Sequence, residues 1–168
     1  MFKESNLNNK KKFIFQSERC YVRSFVEYDL DDFLSYRNNL EWMKFQGFKG
    51  LSRKEYEEAL LKKPSFEKGA QFAILRKVDQ HLIGDVFIKM EDDTFWIGYT
   101  VSPLYKRQGY AYEIAKSMII WMKQQGEYKI KAGVEPKNIS SIRLLEKLGF
   151  LLLTEEDGEL IYLFHQAQ

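Results

Sequence analysis

The chain has 168 residues, of which 45% are hydrophobic and 15% aromatic, which is enough for the buried core of one domain. Lys and Arg number 26 against 24 Asp and Glu, and a net charge of +2 excludes a nucleic-acid binder defined by bulk positive charge. A single cysteine excludes an intramolecular disulfide, two distant histidines argue against zinc, and no apolar run approaches the ~18 residues that span a bilayer.

We therefore expect one domain over residues 1–168, cytoplasmic, with no metal and with neither a nucleic acid nor a membrane as partner. Residues 1 to about 15, which include the basic run 10–12, are expected to be flexible.

The first half of the chain predicts a strand, two helices and two further strands. Residues 19–25 alternate and are rich in β-formers, which indicates the first strand. Asp29 is placed to cap a first helix, and the capping box Ser52 to Glu55 opens a second, which Pro64 ends. The strands that follow are predicted at 71–77 and 82–89, joined by a turn at 79–80.

The second half predicts a strand, the longest helix, and then strand, helix and hairpin. These elements are predicted at 95–101, 109–125, 129–134, from Ser140 or Ser141 to Gly149, and at 150–154 and 160–165. An antiparallel run of strands interrupted by crossover helices predicts an α/β fold, with a mixed sheet of about six to seven strands and helices on both faces.

Residues 102–111, S-P-L-Y-K-R-Q-G-Y-A, carry the clearest chemical signal because they join a predicted strand to the longest helix. A helix N-terminus offers unpaired N–H groups and partial positive charge, which suit a pyrophosphate. Gly109 and Ala111 let the backbone approach a ligand closely, and Lys106 and Arg107 add charge. A glycine and two basic residues before a helix also occur without any ligand. The segment is neither a P-loop nor a dinucleotide fingerprint.

Two blocks resemble a known family. Residues 97–103, I-G-Y-T-V-S-P, followed by K-R-Q-G-Y-A at 106–111, resemble the acetyl-CoA motif Q/R-x-x-G-x-G/A of GNAT acetyltransferases. Residues 138–150, N-I-S-S-I-R-L-L-E-K-L-G-F, resemble that family's N-x-x-S/A…K-x-G-F block. R-C-Y-V-R at 19–23 resembles its first strand, so the likeness covers about residues 18 to 165. The closest branch contains ribosomal-protein N-terminal and small-amine acetyltransferases.

The resemblance implies an N-acetyltransferase that uses acetyl-CoA as co-substrate and acetylates a primary amine, by direct attack in a ternary complex. The acceptor is a small molecule or a peptide N-terminus, and the protein a monomer or homodimer. The coenzyme would lie where strands 95–101 and 129–134 splay apart, with its pyrophosphate on the amides of 107–111. The implied coenzyme-binding residues are Tyr99, Val101, Lys106, Arg107, Gln108, Gly109, Tyr110, Ala111 and Asn138.

The resemblance also implies two catalytic roles, and the residues themselves suggest a base and an acceptor pocket. Ser141 is the candidate proton donor to the departing thiolate, or else a plain helix cap. Asn138 would hold the pantetheine or thiolate end. Asp85 is the candidate base, because a carboxylate within a strand needs a reason. The acceptor pocket is assigned to aromatic residues that could equally belong to the core, namely Tyr36, Trp42, Phe45, Phe48 and Trp96.

The chain departs from the family pattern at four positions. Lys106 occupies the Q/R slot, Arg107 replaces a frequent glycine, Leu145 stands where many members carry a proton-donating tyrosine, and Trp96 stands where an acidic residue is frequent. The last two departures motivate an alternative, a non-catalytic acetyl-CoA-binding sensor or interaction module. A fold relic without coenzyme is a third reading.

Overall fold

The computed structural model describes residues 13–165, which form one eight-stranded mixed sheet in the order β1-β2-β3-β4-β5-β6-β8-β7. The strands are β1 (Phe15–Gln16), β2 (Cys20–Arg23), β3 (Ala70–Arg76), β4 (Leu82–Glu91), β5 (Thr94–Val101), β6 (Lys129–Val134), β7 (Phe150–Glu156) and β8 (Glu159–Phe164). The helices are α1 (Leu30–Arg37), α2 (Arg53–Leu60), α3 (Tyr110–Gln125) and α4 (Ile139–Leu148). The predicted α/β class and mixed sheet are confirmed.

Helices cover both faces of the sheet, as predicted. The α3–α4 face holds the larger core cluster, in which Ile97 of β5 and Ala132 of β6 pack with Met118 of α3. The α1–α2 face holds a second cluster centred on Phe33, Tyr36 and neighbouring aromatic residues. Because side chains alternate along a strand, residues adjacent to a core position point to the opposite face.

One discontinuity in the sheet positions the site. β4 and β5 pair along eight registered positions, from Gly84↔Val101 to Glu91↔Thr94. β5 and β6 run parallel and pair at only three, from Thr94↔Lys129 to Trp96↔Lys131. Among the described strands this is the one parallel pairing, and it stops halfway along β5. The C-terminal halves of β5 and β6 therefore border a gap, as the predicted splay requires.

The structure corrects three local predictions. Residues 1–12 lie outside the described residues, but Phe15 is buried and begins β1, a strand that the sequence analysis did not predict. Asp29 stands before α1 without capping it through its side chain, because its carboxylate accepts hydrogen bonds from Arg23 and from the Val26 amide. The cap of α4 is Asn138, not Ser140 or Ser141. The predicted capping box at Ser52 is confirmed.

Candidate functional site

Main-chain groups of β5 line the gap between β5 and β6. The Ser102 amide donates to the Ile83 carbonyl at 2.7 Å, so Ser102 points its backbone toward β4. Backbone polar groups alternate in direction along an antiparallel strand, and those of Val101 and Tyr99 therefore point away from β4, toward the gap. The Val101 carbonyl accepts a hydrogen bond from the Trp42 indole at 3.0 Å. The two residues predicted to bind an extended chain thus face the gap.

The start of α3 lies beyond the end of β5 and is shaped by two left-handed residues. Gly109 is the N-cap of α3 at φ 81°, and Arg107 has φ 60°. The glycine relieves the first of these positions, whereas arginine at the second carries a strain of about 1 kcal/mol. The side chains of Lys106, Arg107 and Gln108 are exposed, while Tyr110 is buried beneath the first turn. The N-terminal amides of α3 thus stand beside exposed cations, an arrangement that suits an anion.

Arg19 adds a third cation, which the sequence analysis did not assign to the site. Its Nη2 donates to the Gln108 carbonyl at 2.9 Å and its guanidinium lies 4.0 Å from the centroid of the Tyr110 ring. Its Nε pairs with Glu113 at 2.7 Å. Glu113 also accepts hydrogen bonds from the Ser17 hydroxyl and from the Arg19 amide at 2.9 Å. These contacts join the start of β2 to the first turn of α3. Arg19 is the first residue of the R-C-Y-V-R pattern, but its pairing with Glu113, 94 residues away, could not be inferred from that pattern.

Hydrogen bonds to Glu113 change its acidity. Burial alone would raise the pKa of this carboxyl, but the hydrogen bonds from Ser17 and Arg19 and the charge of Arg19 outweigh burial and lower it. The same pairing raises the pKa of the Arg19 guanidinium. The loop before α3 is therefore held by an ion pair that persists at neutral pH.

The start of α4 borders the α3–α4 face of the gap. The Asn138 side-chain oxygen accepts a hydrogen bond from the Ser141 amide at 3.3 Å, which leaves the Ser141 hydroxyl free of any capping duty. The reading of Ser141 as a plain helix cap is therefore wrong. Leu145, which stands in the tyrosine slot, is buried. The Tyr99 hydroxyl is buried and close enough to the Ser141 side chain for that group to lower its pKa, but within residues 13–165 it makes no hydrogen bond of normal geometry, with Ser141 or with any other residue.

Asp85 occupies the centre of a buried polar network on the α1–α2 face. It pairs with Arg37 at 2.6 Å and accepts hydrogen bonds from the Tyr36 hydroxyl and, at 3.2 Å, from the Gln71 amide. Asp85 and Tyr36 are each 1% exposed. Burial, and then the charge of Asp85, raise the pKa of Tyr36 well above its usual value. Both carboxylate oxygens of Asp85 are thus engaged by the chain's own donors.

The aromatic residues predicted for the acceptor pocket separate into two groups. Tyr36 belongs to the core, where it packs against Phe33. Trp42 is 37% exposed, Phe45 and Trp96 are half-buried, and Lys131 stands 5.7 Å from the centroid of the Trp96 ring. Trp42, Phe45 and Trp96 therefore retain surface that an acceptor can contact. Phe48 packs against Phe33 and Tyr56, within the aromatic cluster.

Glu159 is an acidic residue that the sequence analysis passed over as part of a hairpin. It lies at the start of β8, exposed, and its carboxylate fills the space above Gly133 of β6, where a Cβ would overlap it. Ala132 and Val134 pack in the α3–α4 core, so Gly133 and the carboxylate above it lie on the α1–α2 face. This carboxylate stands at the C-terminal end of β6, beside the gap.

The described part of the chain has neither an activated thiol nor a group of metal-binding side chains. Burial raises the pKa of Cys20 to about 11, so this thiol is not an activated nucleophile. Between residues 13 and 165 no three His, Cys, Asp or Glu side chains are grouped to hold a metal ion. Over the same range no helix is long and apolar enough to cross a membrane.

A strand edge that ends at a cationic helix N-terminus suits an extended ligand that carries a diphosphate. The left-handed Gly109, the backbone of Tyr99 and the unpartnered Tyr99 hydroxyl fit acetyl-CoA. Residues 19–151 match the acetyltransferase (GNAT) domain, and the chain therefore belongs to the GNAT family and is an acetyl-CoA-dependent acyltransferase.

Individual proteins agree with this assignment. The uncharacterized N-acetyltransferase YnaD of Bacillus subtilis is 28% identical over 136 residues, which cover 79% of each chain. A GNAT acetyltransferase structure from Bacillus anthracis superposes with a TM-score of 0.79 at 21% identity, over 89% of this chain and 96% of the other. Spermidine N-acetyltransferase from Vibrio cholerae, in complex with CoA and spermine, gives 0.70 at 17% identity, over 86% and 93%. Membership of the ribosomal-protein branch stays a prediction.

Proposed function

We propose that this protein transfers an acetyl group from acetyl-CoA to a small primary amine, by direct attack of the amine on the thioester. The observation that carries the proposal is the gap in the sheet. The backbone groups of Tyr99 and Val101 face it, and the amide-rich start of α3 follows directly after it. Acetyl-CoA supplies the activated acetyl group, and the chain's residues bind, orient and move protons.

In this proposal the coenzyme is bound mainly by main-chain amides, and cationic side chains add to the binding. The amides of Tyr99 and Val101 pair with the pantetheine arm, and the Val101 carbonyl stays with Trp42. The amides of 107–111 hold the pyrophosphate, while Lys106, Arg107 and Arg19 screen its charge. Asn138 contributes by fixing the start of α4, so that the Ser141 hydroxyl faces the sulfur.

The acceptor enters from the α1–α2 face, opposite the α3–α4 core. Trp42 ends on the Val101 carbonyl and so stands at the mouth of the gap, with Phe45 nearby in sequence. Exposed aromatic rings and the carboxylate of Glu159 suit a cationic alkyl amine. The bound spermine of the Vibrio cholerae enzyme is such an amine, and a peptide N-terminus is the competing acceptor.

We propose Glu159 as the base that receives the amine proton, directly or through a water molecule. An alkyl ammonium has a pKa near 10 and must lose a proton before it can attack. Glu159 is exposed and lies beside the gap, whereas Asp85 is enclosed by Arg37, Tyr36 and Gln71. In this scheme Asp85 supports the site by fixing Arg37, which also reaches the Thr100 hydroxyl of β5 at 3.3 Å.

The test is release of CoA thiol with a panel of polyamines, monoamines and short peptides. Glu159→Gln is expected to lower kcat at neutral pH about 100-fold, within the range for general base catalysis, with little change in acetyl-CoA binding. Glu156→Gln is the matched control, because Glu156 is exposed at the opposite position of the same hairpin. Binding of acetyl-CoA with no turnover on any amine would support the non-catalytic module instead.

A further inference from the structure

The Tyr99 hydroxyl is the one buried side-chain polar atom within residues 13–165 that has no hydrogen-bond partner. A buried hydroxyl without a partner is costly, so it calls for an explanation at the site where it lies. Tyr99 belongs to the half of β5 that borders the gap, and its side chain packs on the α3–α4 face. The unsatisfied group is therefore part of the wall of the coenzyme site.

Ser141 is the side chain that most directly influences the pKa of this hydroxyl. Burial raises the pKa of Tyr99 to about 12 and Ser141 acts in the opposite direction, while no charged side chain of the described residues adds to either. Tyr99 consequently stays protonated at physiological pH and remains a hydrogen-bond donor. The Ser141 hydroxyl, relieved of capping by Asn138, can accept from Tyr99 and donate to a third group.

We propose that Tyr99 is a positioning residue for the acetyl transfer: its hydroxyl, unpartnered in the unliganded protein, donates a hydrogen bond to Ser141 once the coenzyme is bound, so that the Ser141 hydroxyl proton points at the coenzyme sulfur. The inference rests on the proposed function. It also accounts for Leu145, because a tyrosine hydroxyl reaches the same region from β5 instead of from α4. The hydroxyls of Tyr99 and Ser141 would together replace a tyrosine donor on α4, and Leu145 at that α4 position is buried in the core.

The chemistry balances without a co-reactant. As the amine nitrogen bonds to the acetyl carbon, the C–S bond breaks and its electron pair stays on sulfur. Glu159 takes the proton that nitrogen loses and passes it to solvent. Ser141, oriented by Tyr99, donates a hydrogen bond to the sulfur as negative charge develops there, and the sulfur takes up a solvent proton when CoA leaves.

The experiment compares Tyr99→Phe with wild type in turnover and in coenzyme binding. We expect kcat to fall about tenfold, less than the ~100-fold for loss of a direct donor, with the KM for acetyl-CoA within about twofold. In a Ser141→Ala background Tyr99→Phe should cause no further loss, because Tyr99 acts through Ser141. Equal losses in both backgrounds would overturn the proposal.

A binding measurement separates this proposal from the proposed function. CoA thiol should bind the wild type more tightly as pH rises from 7 to 9, because the hydroxyl pair stabilises the thiolate more than the thiol. Desulfo-CoA should show no such rise, and Tyr99→Phe should reduce it by at least half. If CoA fails to bind the wild type, the proposed function fails. If it binds and Tyr99→Phe keeps the full rise, only the role of Tyr99 fails.

Tyr128→Phe is the matched control. Tyr128 is half-buried, packs edge-on against Phe95 in the same core, and is not part of the site. It should change neither kcat nor the pH dependence of CoA binding. The melting temperature adds a further check: Tyr99→Phe removes an unsatisfied hydroxyl and should leave the unliganded protein as stable as wild type or more so.

Discussion

The Trp42 indole N–H donates to the Val101 carbonyl at 3.0 Å, and this bond ties the segment after α1 to the end of β5. It occupies an acceptor that would otherwise be open to the coenzyme. A side chain at the proposed entrance for the acceptor amine is thus hydrogen-bonded directly to the strand proposed to bind acetyl-CoA.

Trp42→Phe keeps an aromatic ring and removes this hydrogen bond. We expect the KM for the amine to rise about 3- to 10-fold, the worth of one hydrogen bond, while acetyl-CoA affinity changes less than twofold. Steady-state kinetics with each substrate varied in turn will check this. Equal weakening of both substrates would place Trp42 on the coenzyme path instead.

Arg19 should contribute to coenzyme affinity through charge and through the shape of the loop before α3. Arg19→Lys keeps the charge but loses the fork that joins Glu113 and the Gln108 carbonyl, so we expect CoA affinity to fall about fivefold, and about 20-fold in Arg19→Ala. Titration calorimetry gives both values. Arg23→Lys, at the end of β2, which follows Arg19 directly, is paired with Asp29; it is the control and should not alter affinity.

Asp85→Asn distinguishes a structural carboxylate from a catalytic base. It leaves Arg37 buried with a weakened partner, and we expect the free energy of unfolding to fall by about 3–5 kcal/mol. Denaturant unfolding measures this loss. A variant as stable as wild type but without turnover would restore Asp85 as the base and argue against Glu159.

Acid should loosen the link between β2 and α3 through Glu113. Its pKa is lowered in the folded protein, so the stabilisation is complete above its ordinary value of 4.5 and is lost as pH falls below 4.5 through the lowered value. Glu113→Gln should be less stable than wild type at pH 7, and the difference should shrink toward pH 3. Thermal melts across this range provide the test; a constant difference would contradict it.

Periodicity and turn chemistry predicted the long elements, because each carries its own local pattern. The bounds of β6 were predicted residue for residue, and the capping box at Ser52 held because its donors and acceptors lie within four residues. β1 was missed since a two-residue strand has no period to detect. The α4 cap was misplaced because two serines follow Asn138, and all three side chains can cap.

The site was less predictable because its contacts cross long sequence distances. Arg19 meets Glu113 across 94 residues, and Tyr36 meets Asp85 across 49. The sequence analysis did not single out Glu159, because its position above Gly133 depends on the pairing of β6 with β8. The backbone at Arg107 depends on local sequence instead. Its φ is positive, which is a conformation that glycine adopts easily, and glycine is the frequent residue at this position in the family.

Three residue pairs between β5 and β6 hold the two parts of the sheet together at their seam. An extended ligand lying along the remaining edge of β5 would supply the hydrogen bonds that β6 does not make there, and so would fill the gap between the two strands. Thermal stability and coenzyme saturation should then rise together, since the same bonds that seat the donor also fasten β6–β8 to the rest of the fold.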